Sequence, residues 1–226
     1  VQWTLVIPLK PLTRAKSRLA DTAGDGVRPE LALAFAQDTV AAALGCPAVR
    51  DVAVVTDDAL AGRELAVLGA RIVPDDPRAG LNAALTHGAT VVRAARPLSA
   101  VAALNADLPA LRPGELTRVL DAASEFPRAF LPDAAAVGTT LLAAGPGRDL
   151  RPAFGTGSRA LHRASGAVEL SPEAVDSVRQ DVDTGEDLRA ALALGVGPRT
   201  AAVAARLLGP AGQSGSAGRH GAVPGQ

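Results

Sequence analysis

Lys10 and Lys16 are the only lysines among 23 cationic residues, and both fall in "VIPLKPLTRAKSRLA" (6–20) beside Arg14 and Arg18. Four cations in nine residues, with no acid among them, form a local anion-binding candidate in a chain that otherwise answers every need for positive charge with arginine. Lysine is a compact point charge and arginine a planar fork, so the two are not interchangeable around a phosphate. The run contains no glycine for a backbone cradle and matches neither GxGxxG nor the Walker pattern, so side chains must bind the anion. Taken in isolation, the same run also reads as a solvated basic loop.

Acidic partners lie further along. In "LNADLPAL", Asn105 and Asp107 follow an apolar run that Pro109 ends. A carboxylate in such a corner can hold magnesium, which takes one or two carboxylates and completes its shell with phosphate oxygens and water. The competing role is a cap on the next helix, although Glu115 and the Pro-Gly pair already mark that start. In "RQDVDTGEDL", Asp181 and Asp183 alternate with Val182, so an extended backbone turns both carboxylates to one side. Asp183 or Thr184 can equally cap the helix that follows.

Three further corners carry neutral polar groups. Asn82 and Asn105 are the only asparagines. An amide suits a nucleobase or ribose edge, and Asn82 also suits a helix cap. "VGTTLLAA" and "FGTGSRALH" supply Thr139 or Thr140, Gly155 and Ser158, small donors fit for a carboxylate or phosphate. Gly155 and Gly157 let backbone approach a ligand, and Ser158 again has the alternative of an N-cap. There is no GxSxG elbow and no Cys-His pair; His87 and His162 read as surface or packing residues.

These corners need strands to place them, because in open α/β sheets ligands sit at the carboxyl ends of the strands. Strands are expected at 3–9, 51–58, 71–76 and 98–111, with helices at 29–45, 59–70, 80–95 and 113–124. After 125 the rhythm changes: "RAFLPD" and "VGTTLLAAG" predict an antiparallel hairpin, followed by a helix over 157–166, a strand over 167–171 and a helix over 184–195. The fold class is α/β, a mostly parallel central sheet flanked by helices with an antiparallel addition in the second half. Residues 1–208 form the domain, and 209–226, rich in Gly, Ser, Pro and Ala without periodicity, predict a disordered tail.

Acids and bases balance at 23 each, which argues against a general grip on nucleic acid or an anionic membrane. A lone Cys46, no apolar run near the roughly 20 residues of a membrane span and no signal-peptide pattern lead to an expected cytoplasmic location.

The ordered set "PLKPLTRAKSRLA", "VVTDD", "GLNAAL", "LNADLPAL", "FGTGS" and "DVDT" resembles the small guanylyltransferases of deazaflavin coenzyme (F-420) biosynthesis, over about residues 3 to 200. The resemblance implies a Rossmann-like nucleotidyltransferase domain and transfer of GMP from GTP to phosphoenolpyruvate or 2-phospho-L-lactate, with release of pyrophosphate. It implies that Lys10, Thr139, Gly155 and Ser158 hold the phosphorylated three-carbon acid and that Asp107, Asp181 and Asp183 bind Mg²⁺. It places GTP phosphates near Lys16 and Arg18 and the nucleoside near Thr56 and Asn82. It also leaves room for a downstream transferase as partner. Readings of other kinds are a nucleotidyltransferase for a sugar phosphate or molybdopterin, and a GTP-binding sensor without chemistry.

Overall fold

Trp3, Leu5 and Ile7 alternate with Val6 along the first strand, and every one of them is buried. That pattern requires a sheet covered on both faces, the environment of a parallel α/β core. The computed structural model describes residues 1–14, 19, 26–76 and 78–208. Its sheet has seven strands in the order β3-β2-β1-β4-β6-β5-β7, with β1 at Trp3–Pro8, β2 at Val49–Val55, β3 at Arg71–Val73, β4 at Ala100–Leu104, β5 at Arg128–Pro132, β6 at Thr139–Ala144 and β7 at Val168–Glu169. Strands β1 to β4 pair parallel, β6 runs antiparallel to both β4 and β5, and β7 pairs parallel with β5. The sequence-predicted hairpin is therefore present. Its consequence is one reversed strand wedged into an otherwise parallel sheet.

The helices are α1 (Arg28–Leu44), α2 (Ala59–Val67), α3 (Leu81–Ala95), α4 (Pro113–Ala123), α5 (Ser158–Ala164), α6 (Asp176–Arg179), α7 (Gly185–Leu194) and α8 (Pro198–Leu208). Pro opens α1 and α4, where its missing N–H costs nothing. Helices α6 and α8 were not expected from the sequence. The expected strands at 51–58, 71–76 and 98–111 end earlier as built, at Val55, Val73 and Leu104, because their polar or Pro-containing ends leave the ladder; the last of these ends lines the site.

One core layer joins Leu5, Ile7, Val54, Ala102 and Leu104 to Val40 of α1 and to Leu116 and Leu120 of α4. The opposite layer joins Val6, Val55, Val101 and Ala103 to Leu85, Ala89 and Val92 of α3. Each fully buried Leu or Val contributes about 1.5–3 kcal/mol through the water it leaves. Helix α3 crosses the sheet at Gly88, where an added Cβ would come within 2.6 Å of Val6 and 2.7 Å of Val55. That close approach sets the helix against β1 and β2 and fixes where its first turn meets the site. The expected tail, 209–226, lies outside the described residues.

Candidate functional site

Three neighbouring strands at the middle of the sheet, β1, β4 and β6, each deliver one kind of group to a cavity of about 640 Å³. Lys10 comes from the loop after β1, Asp107 from the corner after β4, and Thr139 from the start of β6. Strand spacing is about 4.8 Å, so cation, carboxylate and hydroxyl are spread across roughly 10 Å. Arg14, Asp133, Gly155, Gly157, Ser158, Asp181 and Asp183 line the same cavity. The structure thus brings together ten of the residues singled out in the sequence: Lys10, Arg14, Asn105, Asp107, Thr139, Gly155, Gly157, Ser158, Asp181 and Asp183. Lys16 and Arg18 lie outside the described residues.

The Asp107 corner is held from both sides. Thr39, fully buried on α1, accepts from Leu108 N at 3.1 Å, and its hydroxyl lies 2.7 Å from Phe35 O and 3.3 Å from Ala106 O. Val182 N donates to Asp107 O at 3.1 Å, and Val182 itself is buried. This bond draws the 181–183 segment to the corner with the apolar residue inward and both aspartates toward the cavity, as the alternation predicts. The segment is not a ladder strand. Capping of α7 falls to Thr184, which forms a capping box with Asp187, and Asp183 lines the cavity. Asp107 likewise caps no helix, since Arg112 occupies the N-cap of α4.

The loop after β1 is tied down by Asp58. Its Oδ1 accepts from Leu60 N and Ala61 N at 3.1 and 3.0 Å, capping α2, while its Oδ2 accepts from Leu12 N at 2.9 Å. Burial raises the Asp58 carboxyl, but the N–H donors of Ala61, Leu12 and Leu60, with Arg63 nearby, outweigh it and leave the pKa below the ordinary carboxylate value. Lys10 and Arg14 remain exposed.

The opposite wall is built from buried neutral groups. Thr139 and Ser158 are 4 % and 1 % exposed. Thr140, its neighbour on the strand, faces the other way and does not line the cavity. Asp133 at the end of β5 accepts from Val137 N and Gly138 N at 2.9 and 2.8 Å and so shapes the turn that leads into Thr139. Gly157, with φ at +70°, occupies the N-cap of α5, so Ser158 is the first helical residue and not the cap. Gly155 has φ at +127°, a backbone that disfavours any side chain.

Asn82 and Thr56 do not line the cavity, and the structure gives both other partners. Asn82 Nδ2 donates to Phe154 O at 3.0 Å and Phe154 N donates to Asn82 Oδ1 at 2.8 Å, so the amide pairs on both its ends with one residue of the 153–158 loop. It is not a helix cap either; Gly80 is. These two bonds tie the first turn of α3 to the 153–158 loop. Thr56, 4 % exposed, accepts from Asp58 N at 3.1 Å.

His162 is the residue the sequence undersold. It is fully buried, with Nδ1 2.9 Å from Thr139 Oγ1 and Nε2 accepting from Ala153 N at 2.9 Å. Burial, aided by Arg128, pushes its pKa down to about 4. Its partners lie 9 and 23 residues away, so no local motif could mark it. Asp133 had a weak signal, as the first polar residue after an apolar strand.

All the acidic groups at the cavity are carboxylates, hard oxygen donors suited to magnesium. Among the described residues no group of three or more His, Cys, Asp or Glu is spaced to hold an ion without help. That suits a cation bound by one or two carboxylates and otherwise by phosphate oxygens and water. No helix among the described residues is long and apolar enough to cross a membrane.

Comparison with known proteins bears on the family and the fold. The chain is 79 % identical over 213 residues to a phosphoenolpyruvate guanylyltransferase of Streptomyces avermitilis, covering 94 % of this chain and 99 % of that one. It is 79 % identical over 208 residues to the enzyme of the same name from Streptomyces coelicolor, covering 92 % and 98 %. In fold it is similar to a nucleotidyl transferase from Methanothermobacter, with a TM-score of 0.62 at 20 % identity over 85 % of this chain and 97 % of the other. The family model described as "Guanylyl transferase CofC like" matches residues 3–207, and the chain belongs to that family.

Proposed function

We propose that the protein transfers GMP from GTP to phosphoenolpyruvate, giving enolpyruvyl-diphospho-5'-guanosine and pyrophosphate. The observation that carries this reading is the convergence on one cavity of exposed cations, four aspartates and a wall of buried neutral donors, in a chain 79 % identical to enzymes named for that activity. An oxygen of the acceptor phosphate, already anionic at neutral pH, attacks the α-phosphorus of GTP. The bond from that phosphorus to the bridging oxygen breaks, and the electron pair leaves on pyrophosphate. No general base is required. The barrier lies in bringing two polyanions into line and in the charge that grows on the leaving group.

The residues divide this work. Thr139, Ser158 and the backbone at Gly155 bind the carboxylate and phosphate of the acceptor, with Lys10 offsetting its charge. Lys16 and Arg18 serve the GTP phosphates. One or two of Asp107, Asp181 and Asp183, which are not spaced to hold an ion as a trio, would hold Mg²⁺, which when bound offsets phosphate charge and orients the triphosphate. The acceptor wall is fixed before substrate arrives, and so orientation costs little at the moment of reaction.

Pyrophosphate release from GTP and Mg²⁺, measured with phosphoenolpyruvate and with 2-phospho-L-lactate separately, tests the proposal. Faster release with phosphoenolpyruvate is expected. Faster release with phospholactate reassigns the acceptor. Release with neither, also in the presence of a downstream transferase that consumes the product, overturns the function.

A further inference from the structure

Three pieces of the acceptor wall meet at the His162 ring: β6 through Thr139, the 153–158 loop through Ala153, and α5, which carries the ring itself. Hydrogen-bond chemistry fixes the tautomer. A backbone N–H can only donate, so Nε2, 2.9 Å from Ala153 N, must present its lone pair. The single proton of the neutral ring then sits on Nδ1 and is donated to Thr139 Oγ1 at 2.9 Å. A hydroxyl that accepts in this way keeps its own hydrogen to give. Among the described residues, no other hydrogen-bond partner faces the Thr139 hydroxyl, and the residue lines the cavity.

We propose that His162 is a positioning residue for the acceptor: its Nδ1–H turns the Thr139 hydroxyl proton toward an oxygen of the anionic substrate, and its Nε2 holds the loop that brings Gly155 and Ser158 to the same substrate. This rests on the reading that the Thr139–Gly155–Ser158 wall takes the acceptor. Phe130 and Phe154 fix the ring plane, with centroids 5.7 Å and 5.0 Å from that of His162, the second edge-on. The next residue of the loop, Phe154, is fastened independently by Asn82. The ring is held neutral by burial and by the neighbouring Arg128 guanidinium. A protonated ring would set a second N–H against that of Ala153.

Two measurements test it. In the ¹⁵N-labelled protein without substrates, long-range ¹H–¹⁵N correlations should show His162 protonated on Nδ1 and bare on Nε2. The opposite tautomer overturns the proposal, and this readout does not depend on which acceptor is used. In kinetics, His162→Phe keeps the ring volume and loses both hydrogen bonds. It should raise the KM for phosphoenolpyruvate about tenfold, the loss of roughly one hydrogen bond, and leave the KM for GTP within about twofold. His162→Asn, whose amide can donate from near the Nδ1 position, should recover most of the loss. An unchanged acceptor KM, or both KM values moving together with the thermal midpoint, overturns it. Failure of the underlying function is distinct: the unsubstituted protein would then release no pyrophosphate with phosphoenolpyruvate, whatever the tautomer.

Discussion

Lys10 and Asp107 reach the cavity on loops leaving the carboxyl ends of β1 and β4, whereas Thr139 reaches it from the amino end of β6, the one described strand that runs against both its neighbours. The two regions also differ in how firmly they hold their groups. On the parallel side Lys10 and Arg14 are exposed, and the fastening acts on the backbone, through Asp58 and Leu12. On the reversed side Thr139 and Ser158 are neutral and buried, and the wall is cross-linked: Thr139 to His162, His162 to Ala153, Asn82 to Phe154. The difference follows from the range of the forces involved. Coulomb attraction falls off slowly with distance, so a cation can work from a solvated, loosely held position. A neutral donor acts only near 3 Å and must be placed beforehand.

The largest effect is expected where the two regions meet. Asp107→Asn removes the charge and keeps the shape, while the backbone bonds at Asp107 O and Leu108 N remain. Pyrophosphate release should fall about 10²–10³-fold or more, with the thermal midpoint little changed. Unaltered turnover would remove Asp107 from the chemistry and leave the cavity without its central carboxylate.

Acid should expose the reversed side next. His162 titrates at about 4 in the fold against an ordinary 6.5, so the unfolded chain binds the extra proton first as the pH falls. The stability from keeping the ring neutral is complete above about pH 6.5 and is lost progressively down to about 4, a change on the order of 3 kcal/mol. Urea midpoints at pH 7 and pH 4.5 should fall more steeply for the natural protein than for His162→Phe. Equal slopes would mean that the ring is not held neutral.

The same contrast explains what was legible in the sequence. The parallel side announces itself locally: a strand, then a polar corner, with Lys10, Asp107 and the Asp181–Asp183 pair each readable from their neighbours. For Asp107, Asn82, Ser158 and Asp183, helix capping competed as an explanation. The structure assigns those caps elsewhere, to Arg112, Gly80, Gly157 and Thr184. The fasteners were not legible. Asn82 and Phe154 are 72 residues apart and Asp58 and Leu12 are 46 apart, and nothing in either segment names its partner. Helix α8 was missed because its apolar residues are mostly alanine. Its N-terminus is set by Asp38 of α1, which accepts from Thr200 N at 2.7 Å.

Asn82 gives a sharper test, since nucleoside binding and loop positioning predict opposite kinetics. Asn82→Ala frees Phe154 from two hydrogen bonds and should raise the acceptor KM about tenfold, leaving that for GTP nearly unchanged. A rise in the GTP KM alone would return Asn82 to the nucleoside and end its part in the comparison.

Asp58 is the matching fastener on the parallel side, and Asp58→Asn isolates it. Asparagine caps helices about as well as aspartate, so Oδ1 can go on serving Leu60 and Ala61 while an amide NH₂ replaces the oxygen that accepts from Leu12. Donor then faces donor, and only the loop carrying the cations is loosened. Because those cations act through long-range attraction, the consequence should be small: the KM values for GTP and for the acceptor each raised about two- to fivefold, a loss below about 1 kcal/mol, with the thermal midpoint nearly constant. An effect as large as that of Asn82→Ala would show that the parallel side, too, needs its groups fixed to within a hydrogen-bond length, and the distinction between charge held loosely and donors held rigidly would not survive.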